Sequence, residues 1–263
     1  MPSLEANLNK WANHDWQKAG EEWSTLAGGS ARWWHGILLP RLLPILQSLP
    51  AKPHILEIAP GYGRWTQYLL RHAGTLTALD IDRGCLDACR KRFGDRVRLV
   101  LGDGHTLGGP RERVNGPVDL CFSYDSLVHA ELDVMGSYVR ELSRVLRPGG
   151  YAFLHHSNLA NLALPAGTPI HWRAASVDAT AIRERAFACG LSTPLQELCT
   201  KAGPKDRALI DCISIIHKPA SGPPSRETTV LESPDFWRQV QLLGRAGKAY
   251  DTAVGAAPNA QQP

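Results

Sequence analysis

Apolar and polar positions along the chain fall into short blocks that read in turn as strands and helices. His54 to Ile58 has the composition of a buried strand; the small-residue turn Ala59-Pro60-Gly61-Tyr62-Gly63 and a helix-like segment from Arg64 to His72 follow. Further strands are expected at Leu76–Leu79, Val97–Leu101, Val118–Phe122 and Tyr151–Leu154, with helices at Gly84–Phe93 and 132–146 between them. The second of these helices stops at Arg147-Pro148-Gly149-Gly150. Such alternation predicts an α/β fold, a doubly wound parallel sheet with helices on both faces. After a helix at about 178–189, Leu195–Thr200 and Ala208–His217 are strands joined by the polar turn 201–206, which predicts a closing hairpin and an antiparallel edge strand.

The ends of the chain carry a different pattern. Residues 1–50 read as helices with apolar positions at three- and four-residue spacings and hold five of the eight tryptophans, at 11, 16, 23, 33 and 34. They are expected to form a helical cap on a domain spanning 51–218. Residues 219–263 read as a Pro/Ser/Gly/Thr-rich linker to 233, a short helix to about Tyr250 and a disordered tail.

Composition narrows the picture. At 263 residues and 43% hydrophobic, one main domain with terminal additions is expected. The net charge of +4 comes from 29 basic and 25 acidic residues with no basic block, so no nucleic-acid partner is expected. Six cysteines without a CxxC pair suit buried thiols in a reducing compartment. No signal pattern is present, and no run approaches the roughly 18 apolar residues of a membrane span, so a cytoplasmic location and no membrane partner are expected. Nothing in the pattern bears on oligomeric state.

The chemistry concentrates at strand ends. A glycine turn between a strand and a helix lets a ligand approach backbone N–H groups, because Gly61 and Gly63 lack a Cβ. Asp80, at the tip of the next strand, stands where doubly wound sheets hold the ribose hydroxyls of a nucleoside cofactor. A dinucleotide is disfavoured because Thr66 stands where the third glycine of that fingerprint belongs, and Arg64 and Glu57 flank the turn. Three clusters could serve an acceptor: Asp125 with His129, His155-His156-Ser157-Asn158, and His171-Trp172-Arg173.

In this order and spacing the pieces resemble the class I methyltransferases that use S-adenosylmethionine, over roughly residues 52–218. Glu57 through Gly63 is similar to the family's acidic and glycine-rich loop, with Ala59 in place of its first glycine. Asp80 matches the ribose-binding acid and Asp103 the acid near the adenine amine. Leu146–Gly150 is similar to the turn before the fifth strand, and the closing hairpin to the reversed seventh strand. More narrowly, Phe122 to His129 and His155 to Asn158 resemble bacterial methyltransferases of surface polysaccharides and glycosylated natural products.

The resemblance implies a Rossmann-like seven-stranded sheet with a terminal antiparallel hairpin, and S-adenosyl-L-methionine as cofactor. Its contacts would be Glu57, Ala59, Gly61, Gly63, Asp80, Asp103, Gly104 and Ser123. The acceptor would be a small molecule, a sugar or glycosylated metabolite methylated on a hydroxyl, touched by Trp34, Tyr124, His155, Asn158, His171, Trp172 and Arg173. A hydroxyl needs a base, and histidine suits neutral pH. His156 is preferred and His129 is the other candidate, oriented by Asp125; each could instead be a core histidine bonded to backbone. No metal is expected, since the cluster is mostly nitrogen where magnesium prefers oxygen. Alternatives are N- or carboxyl-methylation of a peptide or other natural product, and a non-enzymatic scaffold with this fold.

Overall fold

The computed structural model describes residues 3–16, 18, 20–109, 112–164, 167, 170–200 and 208–255. The N-terminal region contributes α1 (Leu4–Ala12), a 3-10 turn at Glu21–Ala27, and α2 (Ser30–Trp33), which passes through a π-turn into α3 (Leu39–Ser48). The sheet region then runs β1 (His54–Ile58), α4 (Thr66–Leu69), β2 (Thr75–Asp80), α5 (Arg83–Phe93), β3 (Val97–Leu101), β4 (Val118–Ser123), α6 (Leu132–Val145) and β5 (Leu146–Ser157). It continues with α7 (Ala179–Ala188), β6 (Ser192–Cys199), β7 (Asp211–His217), β8 (Thr229–Ser233) and α8 (Phe236–Ala253).

The strand order is β3-β2-β1-β4-β5-β7-β6-β8. β1 to β5 pair in parallel, while β7 runs antiparallel to both β5 and β6. The expected hairpin of β6 and β7 is therefore formed, although its connecting turn lies outside the described residues. The expectation of seven strands needs correction. Thr229–Ser233, within the stretch read as linker, pairs in parallel with β6 and makes an eighth strand, so β8 and not the hairpin is that edge of the sheet. The expected disordered tail lies largely outside the described residues.

Two apolar layers bury the sheet. Trp33, Trp34, Ile37, Leu38 and Leu42 pack with Phe93 of α5 and Phe236 of α8 against Phe122 and Phe153 on one face. Met135, Val139 and Leu142 of α6 and Ile182 of α7 pack against Cys121, Ala152 and Leu154 on the other. Residues alternate between these faces along β4 and β5, as period-2 strands buried on both sides require. α5 begins where the Asp82 carboxylate caps the Gly84 N–H at 2.9 Å, a local bond that helix formation by the following segment relies on. Strand order reverses between β1 and β4, so a crevice opens beyond their carboxyl ends.

Candidate active site

A cavity of about 660 Å3 occupies that crevice. Ile58 to Tyr62 after β1, Asp80 and Ile81 after β2, and Tyr124 to Glu131 after β4 line its floor. Its other walls are Lys10, Trp11, His14, Trp16 and Trp23 of the N-terminal region and His171 to Arg173. The volume is that of a small-molecule site, and mixed aromatic and polar walls are usual for one.

On the β1–β2 side, the glycine turn and the acid meet directly. Gly61 takes φ +56° and its N–H donates to Asp80 Oδ2 at 3.1 Å; Asp80 Oδ1 accepts from the Asp82 N–H at 3.0 Å. Burial pushes the Asp80 carboxyl up to about 6, and these two N–H groups work against that rise. A Cβ on Gly61 would meet Trp16 at 3.0 Å, so the absent side chain is what lets the aromatic wall come down on the turn. Trp16 also stacks on Tyr62, with centroids 4.6 Å apart and planes 6° off parallel. Gly63, at φ +82°, faces inward, and a side chain there would strike Phe93; its role is packing against α5 and it does not line the cavity. Ala59 and Gly104 do line it, Ala59 at φ +57° and Gly104 beneath Leu4 of α1.

Besides Gly63, three expected cofactor contacts do not reach the cavity. Glu57 is buried behind the turn, where it accepts from Thr66 Oγ1 at 2.6 Å, and burial pushes its carboxyl up to about 8. Ser123 is buried and donates to the Ile58 carbonyl at 3.0 Å, tying β4 to β1. Asp103 folds back on its own turn, accepting from the His105 and Thr106 N–H groups at 2.8 and 2.6 Å and from Thr106 Oγ1 at 2.9 Å. Partial burial works against it, yet those bonds hold its carboxyl below the ordinary range.

On the β4 side, His129 faces the cavity and its Nδ1 lies 2.7 Å from the Trp172 carbonyl. A carbonyl can only accept, so Nδ1 carries the hydrogen and the neutral ring has its lone pair on Nε2. Two consecutive non-glycine residues in the left-handed region, His171 at φ +47° and Trp172 at φ +63°, aim that carbonyl. Each such residue costs on the order of 1–3 kcal/mol and persists only where its surroundings compel it. Asp125, also left-handed at φ +66°, pairs with Arg64 at 3.1 Å, and both line the cavity. The Arg64 guanidinium lies 4.5 Å from the Trp65 ring centroid and 5.6 Å from that of Trp23. Tyr124 lines the cavity and stacks on His155 at 4.5 Å.

The preferred base does not take that place. β5 extends through Ser157, so His155 and His156 face opposite sides of the sheet and both are buried. His156 is engaged at both ring nitrogens, with the Ser157 carbonyl and with Ser214 Oγ, each at 2.8 Å. Burial pushes it down to about 4, and it stands apart from the cavity. Asn158 caps α7 by accepting from the Ala179 N–H at 2.9 Å and donates to the Leu209 carbonyl; Trp34 is core, stacked on Tyr68. His171, Trp172 and Arg173 line the cavity.

Sequence reasoning missed Lys10, His14, Tyr62 and Arg64 as cavity residues. The tryptophan spacing in residues 11–23 was the available signal, since Trp11, His14, Trp16 and Trp23 pack on one another with ring centroids 4.8–6.4 Å apart. Lys10 Nζ lies 4.1 Å from the Trp172 ring centroid and 5.6 Å from that of Trp11, so it bridges the cap and the opposite loop. Among the described residues, no three His, Cys, Asp or Glu side chains converge as a metal would require, and no helix is long and apolar enough to cross a membrane.

Residues 55–150 match the methyltransferase domain family. Among curated proteins, the chain is similar to the biotin biosynthesis bifunctional protein BioHC of Cellvibrio japonicus, 32% identical over 113 residues, which are 42% of this chain and 21% of that one. It is also similar to the fatty-acid O-methyltransferase of Mycolicibacterium smegmatis, 30% identical over 128 residues, 48% of this chain and 42% of that one. The match thus spans less than half the length of either relative. An S-adenosylmethionine-dependent methyltransferase from Clostridium acetobutylicum shares the fold, with a TM-score of 0.53 at 14% identity over 79% of this chain and 94% of that one.

Proposed function

We propose that this enzyme, an S-adenosylmethionine-dependent methyltransferase, methylates a hydroxyl of a small molecule, a sugar or glycosylated metabolite, with His129 as general base. The observation that carries the reading is the His129 hydrogen bond to the Trp172 carbonyl, which leaves the Nε2 lone pair as the base. The site also fits the cofactor. Asp80 presents a buried carboxylate for the ribose diol, Gly61 gives the turn its close approach, and Leu79, Ile81, Gly104 and Tyr138 offer an apolar slot for the adenine ring.

When bound, S-adenosylmethionine supplies a methyl group on a sulfonium, transferred by in-line displacement. The chain's own residues must then hold the acceptor oxygen in line and take its proton. His129 Nε2 receives that proton, and the Trp172 carbonyl keeps Nδ1–H in place so the imidazolium that forms stays oriented. This is the logic of a base held by a third group, with a backbone carbonyl in the part usually played by a carboxylate. The faces of Trp11 and Trp172 at the cavity wall suit the C–H surfaces of a sugar ring.

A second reading has one observation of its own. Lys10 sits at the cavity wall and would pair with an acceptor carboxylate, which needs no base; the similar Mycolicibacterium protein is a fatty-acid O-methyltransferase. The test is methyl transfer to a panel of sugar hydroxyls and carboxylic acids by wild type and His129→Ala. Under the hydroxyl reading, sugars are methylated and the variant is severely slowed. Carboxylates methylated at equal rates by both proteins would establish the second reading instead.

A further inference from the structure

Behind the cavity wall, at the start of β7, lies a carboxylate that no part of the site described above uses. Asp211 is fully buried and does not line the cavity, yet it holds Arg173, which does, and His155, which lies behind Tyr124. Arg173 grips it with a fork, Nε on Oδ1 and a terminal nitrogen on Oδ2 at 2.8 Å. His155 Nε2 meets Oδ2 at 3.3 Å. Burial alone would raise this carboxyl, but the Arg173 guanidinium and His155 hold it well below the usual carboxylate range, so it stays ionised.

Each arm leads to a cavity residue. The Arg173 backbone N–H bonds to the Ile170 carbonyl at 3.0 Å, and the Ala174 N–H bonds to the Val128 carbonyl at 2.8 Å, which closes the left-handed pair His171-Trp172 over the turn carrying His129. An extended strand would not present the Trp172 carbonyl to His129; this bent one does. On the other arm, His155 Nδ1 accepts the Asp125 backbone N–H at 3.1 Å. That bond requires a lone pair on Nδ1, so His155 carries its hydrogen on Nε2 and donates it to Asp211. The left-handed turn at Asp125, and with it the Arg64 pair, hangs from this bond.

We propose that Asp211 is a positioning residue that sets the tautomer of His129 through Arg173 and the placement of Asp125 through His155. The bent 171–172 segment is strained as it stands, the fork pulling Arg173 inward is a contact that can hold it there, and a fork needs a planar carboxylate as its partner. A lysine at 173 keeps the charge and loses the fork. The inference rests on the proposed function only for its catalytic consequence; the geometry it predicts is read without turnover.

The experiment uses the full chain, labelled with 15N at histidine, at mildly alkaline pH where the rings are neutral. Wild-type His129 is expected as the Nδ1–H tautomer. In Asp211→Asn and in Arg173→Lys it should lose that signature and move to the mixed tautomers of an unrestrained imidazole. Circular dichroism is used to confirm that each variant is folded, and the lysine variant serves if the asparagine one is not. In His155→Phe, which leaves the fork in place, His129 should keep its tautomer while the Asp125 amide loses protection from hydrogen exchange. A His129 that stays Nδ1–H in folded Asp211→Asn or Arg173→Lys overturns the proposal. Tautomer loss without loss of methyl transfer would sustain the role of Asp211 and remove His129 as the base.

Discussion

What holds one nitrogen of a histidine decides what the other can do. At His129 a carbonyl takes Nδ1–H, which in the neutral ring fixes the tautomer of a residue lining the cavity, whereas His156 is held inside the sheet and stands apart from the cavity. His129→Ala should therefore slow methyl transfer by roughly 10²–10⁴-fold, measured as turnover with cofactor saturating, and His156→Gln should leave it near wild type. His156 instead bears on stability. Its folded pKa of about 4 lies below the unfolded value of 6.5, so between these the unfolded chain binds more protons. The stability it contributes is present above 6.5 and is lost as pH falls toward 4, by roughly 3 kcal/mol in all. Denaturant titrations across that window should show the wild type losing stability relative to His156→Gln as pH drops. Asp80 gives a second dependence. With its carboxyl pushed up to about 6, affinity for S-adenosylhomocysteine should decline as pH falls through that value and stay flat with pH in Asp80→Asn.

At the scale of elements, the cap rests on the loops after β1 and β3 at two points, Leu4 on Gly104 and Trp16 on Gly61 and Tyr62. Deleting residues 1–18 removes both while leaving the 3-10 turn at Glu21–Ala27, anchored by buried Ser24 and Ala27, so turnover should vanish while S-adenosylhomocysteine still binds by calorimetry. Unchanged turnover would make α1 packing alone. Much of this scale was legible in the chain. Strands, their order and the glycine turn follow from short apolar blocks and small residues at fixed places, which backbone sterics and burial read directly. β8 was not, because Thr229–Ser233 is largely exposed and joins the sheet through backbone bonds to β6, which leave no apolar period behind. Asp103 lies outside the cavity lining for a related reason: an acid at a strand end can bond its own turn, and here the N–H groups of residues 105 and 106 donate to it. His155 and His156 show the limit of alternation, which separates two neighbours by face but does not tell that β7 and the helical layers bury both.

Across the whole molecule, the C-terminal helix completes what the N-terminal region begins. Phe236 and Val240 of α8 are buried, Trp237 meets Trp33 edge-on at 6.2 Å and reaches the cavity, and Arg32 pairs with Asp251 at 2.6 Å. Phe236→Ala should cost about 3–5 kcal/mol of unfolding free energy in a denaturant titration, as a truncated core aromatic does. None of this long-range closure could be read from local pattern, since it joins segments some two hundred residues apart by shape alone. The central claim is that the crevice between β1 and β4 holds S-adenosylmethionine on Asp80 and the Gly61 turn. Isothermal calorimetry of S-adenosylhomocysteine against the wild type and Asp80→Ala tests it most directly, with NAD as the comparison ligand. The account predicts binding of S-adenosylhomocysteine to the wild type, weakened by roughly 1.5–3 kcal/mol in the variant, and no heat from NAD. Binding of NAD in its place, or equal affinity for S-adenosylhomocysteine in both proteins, would contradict it.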